Sequence, residues 1–287
     1  MGRRIVLSVA TLLVTAGLAA SCGGGDEESE PAALAVKATS AGQGRFALEA
    51  PESVEAGLVR LQFTNGTDEQ ADVQLLRLDD GHTLEDALGI VSDDEEAPIP
   101  DWLHAEGGLG TTETGATVEI ELVLEEGTYY LIDTFSQEGE STESHGEQGA
   151  TATVEVTGGD DDAELPEVDA SIEMNEYSFV TEGLKPGPNR FLLKNSGDEL
   201  HHTLAFPITE GATLADVRGL FQEGSEGVPP PLDLEQGVGT AVLDGGREQI
   251  TELEFQAGRY ALLCLITDRA GGPPHVAKGM IREIEVS

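Results

Sequence analysis

Short stretches in which every second residue is apolar recur along the chain and stop at Gly, Pro, Asp or Asn, the pattern of half-buried strands closed by turns. Val59, Leu61 and Phe63 alternate in this way before Asn65-Gly66, and Phe191 and Leu193 before Asn195-Ser196. Further strands are expected at 73–78, 118–124, 129–135 and 150–156, and again at 203–208, 249–255, 260–266 and 280–286. Helical periodicity is brief. Thr83 with Asp86, and Thr213 with Asp216, have capping-box-like spacing and predict one short helix in each half. Glycine- and proline-rich stretches at 97–110 and 224–239 read as loops.

The two sets of strands are related by a shift of 130 residues, which aligns 65–89 with 195–219 without a gap and gives eight identities, among them Asn65/Asn195, Asp86/Asp216 and Gly89/Gly219. The same shift pairs His145, Gly149, Glu155 and Val156 with His275, Gly279, Glu285 and Val286. Self-similarity of this kind marks a repeated structural unit. Each unit carries about seven short strands with Gly/Asp turns, so the expected fold is all-β: two tandem Greek-key sandwiches, each with one short helix. The expected boundaries are 33–157 and 167–287, with an acidic linker at 158–166.

The formal charge of −40, from 55 acidic and 15 basic residues, argues against a nucleic-acid binder, since nothing here replaces counterions along a phosphate backbone. The N-terminus is more specific. Arg3 and Arg4 precede an apolar run at 5–20, and Ala19-Ala20-Ser21 leads into Cys22, the layout of a signal peptide over residues 1–22. Ala-Ala-Ser-Cys resembles the lipobox of bacterial lipoproteins, which implies lipid on Cys22, export, and tethering to the outer face of a membrane. Residues 23–32 then form an acidic tether. With Cys22 lipidated, Cys264 is a lone thiol in an oxidising compartment and needs an explanation.

That explanation lies in the second unit, where Cys264 is followed by His275 and Met280 and preceded by a histidine on a mid-domain strand. A thiolate, two imidazoles and a weak thioether make the ligand set of a blue-copper electron-transfer site. Strand parity favours His202 as the first histidine, because His202, Leu204 and Phe206 share the apolar face while His201 points away with Thr203.

The segments His202-Thr203-Leu204-Ala205-Phe206, Gly258 to Cys264, and His275 to Met280 with Gly279 before the methionine resemble the corresponding segments of the cupredoxins, the plastocyanin and azurin family. The resemblance implies one type 1 copper in the C-terminal domain, held by His202, Cys264, His275 and Met280. It departs from the small family members in the ten-residue loop at 265–274. In the first unit the aligned residues are Asp72, Asp133, His145 and Ala150, a degenerate copy whose polar residues read as surface groups. The expected function is electron transfer with a redox partner protein, not catalysis. Six histidines in all are too few for the paired motifs of multicopper oxidases. A metal-free envelope module and a copper storage or delivery protein are the alternatives.

Overall fold

A computed structural model describes residues 30–42, 45–91, 97–136, 143–159, 162–221 and 231–287. The signal peptide, Cys22 and residues 23–29 of the tether lie outside the described residues, and Pro31–Ser287 forms one compact unit. The first half runs β1 (Ala32–Gly42), β2 (Arg45–Glu49), β3 (Ser53–Gly66), β4 (Ala71–Leu78), α1 (Leu84–Val91), β5 (Leu103–Thr112), β6 (Thr117–Leu124), β7 (Gly127–Ile132) and β8 (Thr151–Gly159). The second repeats the order: β9 (Ala170–Asn175), β10 (Ser178–Glu182), β11 (Gly187–Asn195), β12 (Leu204–Pro207), α2 (Leu214–Gly219), β13 (Val238–Gly239), β14 (Glu248–Phe255), β15 (Gly258–Leu263) and β16 (Ile281–Val286). Strand β8 runs two residues into the segment expected to be a linker.

Each half is a sandwich of two four-stranded layers in the same strand order, and in the first half β3 also pairs parallel with β8, which joins its two layers along one edge. The layers are β2-β1-β3-β6 over β5-β4-β7-β8, and β10-β9-β11-β14 over β13-β12-β15-β16. Alternation along the strands puts one face of each layer inside. Val59, Leu61, Phe63, Ile120, Leu122 and Leu131 fill the first core. Ile172, Phe191, Leu193, Phe255, Tyr260 and Leu262 fill the second. Both predicted capping boxes form: the Thr83 and Thr213 amides donate to Asp86 and Asp216, whose own amides donate back to the threonine hydroxyls. The repeated asparagines are braces. Asn195 donates from Nδ2 to the carbonyls of Glu199 and Leu243, as Asn65 does to Glu69 and Thr112.

The sandwiches are joined edge to edge. β14 pairs antiparallel with β6 at Gln249/Leu122 and Ile250/Glu121, making one continuous sheet across both halves. Glu121 accepts from Arg60 of its own half and from Arg190 of the other. Gln249 brackets Gly108 through both its amide nitrogen and its carbonyl, and Gln74 brackets Val242 in the same way from the opposite side. The stretch expected to be a loop at 97–110 contains β5, which pairs with β4 through two irregularities in register. Its glycines carry the close approach. A Cβ on Gly110 would stand 2.1 Å from the Gly239 carbonyl oxygen.

Candidate metal centre

Cys264 follows the last residue of β15, and Tyr260, Leu262 and Cys264 point into the second core while Ala261 and Leu263 face a smaller cluster under α2. A short turn brings the other two C-terminal residues to it. The His275 amide donates to the Ile266 carbonyl, the Val276 amide to Cys264, and the Met280 amide to His275. Gly279, with φ +108°, completes the turn in a conformation that side chains resist, which accounts for the glycine before the methionine. Met280 is fully buried in the same core as Cys264.

The fourth participant is His201. Its backbone exchanges two hydrogen bonds with Leu243, whose carbonyl is also held by Asn195, and its ring meets Cys264 and His275 in the interior. His201 Nδ1 and His275 Nδ1 lie 3.0 Å apart, and Cys264 Sγ is 3.8 Å from the first and 3.6 Å from the second. A point equidistant from these three atoms is about 2.0 Å from each, the length of a metal–imidazole bond as known for zinc.

The expected ligand His202 is therefore corrected to His201. His202 is half-buried, and its Nε2 accepts a hydrogen bond from the Leu265 amide at 2.9 Å, so it braces the residue after Cys264 from outside the cluster. The parity argument assumed that the bulky residues of this strand face the main core. Instead Leu204 and Phe206 face outward and are covered by the cluster under α2, while small Thr203 and Ala205 face inward. Their size leaves room for a ring and a metal. That run of small residues beside a histidine was the available signal for His201.

The chemistry of the donors fits a soft cation. Burial lowers the His201 pKa to about 4, with His275 adding to the effect, and burial lowers that of His275 too, although Asp268 opposes it. Both imidazoles thus present lone pairs at neutral pH. Burial pushes the Cys264 thiol up to about 12, so a thiolate there needs a bound cation. His201 Nε2 is buried without a partner among the described residues, and the ring is placed by Nδ1 and by its packing against His275. His201, Cys264, His275 and Met280 fit a type 1 copper centre in the C-terminal sandwich, and copper held there supplies a one-electron couple.

The long loop from Cys264 to His275 is anchored. The Arg269 amide donates to Glu199, its guanidinium donates to the carbonyls of Pro100 and Leu103 in the first sandwich and pairs with Asp244 at 2.6 Å, and its carbonyl accepts from Ile99.

The equivalent position in the first sandwich keeps the frame and loses the donors. Ala71 stands where His201 does, Asp133 where Cys264 does, and Ala150 where Met280 does. Asp133 and His145 are buried, which corrects the expectation of surface groups. His145 Nδ1 is 2.9 Å from Asp133, its Nε2 is 3.4 Å from Glu69, and its ring stacks on Phe46. Asp72 accepts from the amide and hydroxyl of Thr134, as His202 accepts from Leu265. Both nitrogens of His145 are engaged within the protein.

A β-sandwich that brings two histidines and a cysteine together, with a methionine buried in the same core, resembles the copper domains of the cupredoxins in its donor set. Structures similar to this one include a reduced auracyanin from Roseiflexus castenholzii, 17% identical, covering 44% of this chain and 94% of that one, with a TM-score of 0.31. Rusticyanin from Thiobacillus ferrooxidans is 14% identical, covering 44% of this chain and 76% of its own, with a TM-score of 0.30. A multicopper oxidase is 15% identical over 89% of this chain and 88% of its own, with a TM-score of 0.23. No protein-family model and no curated protein matches the chain. The assignment of the site rests on its own donor geometry.

Proposed function

We propose that this protein is an exported, lipid-anchored electron carrier in which one copper is held equatorially by His201, Cys264 and His275 and axially by Met280. The observation that carries the reading is the triangle of Nδ1, Nδ1 and Sγ with sides of 3.0, 3.6 and 3.8 Å. These three residues and Met280 are fully buried, which suits outer-sphere electron transfer and disfavours handing the metal to another protein, since delivery needs ligands a recipient can reach. The other histidines support a carrier over an oxidase: His82 stacks on Trp102, His104 lies between Asp79 and Asp244, and His145 is paired with Asp133. Cys22 would hold the protein to the membrane, with a redox partner protein approaching the copper domain.

Adding Cu(II) to the metal-free protein should produce an intense visible sulfur-to-copper charge-transfer band. The band should vanish in Cys264→Ala and His201→Ala and survive in His202→Ala. A protein that stays colourless refutes the reading, and a band lost in His202→Ala but kept in His201→Ala would return the ligand role to His202.

A further inference from the structure

Three side-chain interactions converge on Asp268, inside the loop that joins the cysteine to the second histidine. Oδ1 lies 3.0 Å from His275 Nε2 and accepts from the Tyr177 hydroxyl at 2.9 Å, while Lys278 Nζ donates to Oδ2. The His275 ring is wholly enclosed, and among the described residues its outer nitrogen has no other partner. Tyr177 packs against both the histidine and the lysine. Its φ of +57° makes it the one non-glycine residue in the left-handed region among those described, its ring edge abuts His275, and Lys278 lies over its face at 5.5 Å. The next residue, Arg269, ties the loop to the first sandwich through the carbonyls of Pro100 and Leu103.

A carboxylate on the outer nitrogen of a metal-binding imidazole fixes its tautomer, orients the ring and makes the inner nitrogen a stronger donor. We infer that Asp268 is the positioning residue of this centre. It holds the His275 proton on Nε2 so that Nδ1 offers its lone pair, and its negative charge favours the oxidised metal over the reduced one. The first sandwich has a part in this, because it anchors the loop on which Asp268 sits. The effect on the metal rests on the copper reading above, whereas the tautomer does not.

Nitrogen-15 NMR of the metal-free full chain reads the tautomer directly. Wild-type His275 should carry its proton on Nε2 alone, and a proton on Nδ1 in the wild type would overturn the inference whether or not copper binds. In the copper-loaded protein, Asp268→Asn should raise the reduction potential and weaken Cu(II) binding by about 10- to 100-fold. Tyr177→Phe leaves the carboxylate with one fewer donor to share its charge and should shift the potential the opposite way. If Asp268→Asn binds copper with unchanged potential and affinity, Asp268 has no such role while the copper assignment stands. If the wild type gives the Nε2 tautomer but takes up no copper, the copper assignment and the potential effect fall and only the orienting role remains.

Discussion

Asp133 and His145 occupy, in the first sandwich, the positions that Cys264 and His275 hold in the second. Burial works against charge on His145, but hydrogen bonds and charges from Asp133 and Glu69 outweigh it and hold its pKa above the usual value. Burial and the neighbouring Asp133 raise Asp72 to about 7. Both groups bind protons more tightly folded than unfolded, so their contribution to stability declines as pH rises. Asp72 contributes this loss between the ordinary carboxylate range and about 7, and His145 from the ordinary imidazole value of 6.5 upward. Burial lowers the pKa values of His201, His202 and His275, which adds the opposite trend below 6.5, so the urea midpoint of the metal-free protein should fall between about pH 5 and about pH 7 relative to that of Asp72→Asn, and a difference that climbs over this range would contradict the assignment. Asp133→Ala leaves a buried imidazole without its partner and should cost about 3 kcal/mol in equilibrium denaturation.

Strands announced themselves in the sequence wherever one face meets the core and the other water. Val59, Leu61 and Phe63 in β3, and Tyr260, Leu262 and Cys264 leading out of β15, are of this kind, and the capping threonines marked both helices. Where an element is covered on both faces, or contacts its neighbour through backbone, alternation fails. Strand β5 was hidden by Gly107, Gly108 and Gly110, whose missing side chains look like a loop but are required by the approach of Gln249, Val73 and Gly239 respectively. Strand β12 was visible but inverted, because α2 covers its outer face, and so the site was read with Cys264, His275 and Met280 in place and the wrong one of two adjacent histidines. Asp268 was not legible at all, since its relation to His275 depends on a loop path set by Arg269. Gly110→Ala tests the account of β5. The added methyl meets the Gly239 carbonyl of β13 in the second sandwich, and calorimetry should show a loss of about 1–3 kcal/mol, the range for overpacking, where an exposed loop glycine would give little change.

At the scale of the whole molecule, the pairing of β14 with β6 and the bracketing glutamines make the two sandwiches one mechanical body. A single heat-absorption peak is expected for residues 31–287, and two separated peaks would show that the joined sheet adds little coupling. Residues 167–287 prepared alone lose the Pro100 and Leu103 acceptors of Arg269, so amides in the 265–274 loop should exchange faster there than in the full chain. The buried pair of Asp133 and His145 also bears on what this chain could become. Asp133→Cys alone strips His145 of its counter-ion, while Ala71→His or Ala150→Met alone forces bulk into a space already filled. Every single step toward a second copper weakens the fold before any metal can bind, and the first sandwich is thereby locked out of its sister's chemistry as by a ratchet: the route back exists only as several substitutions made at once.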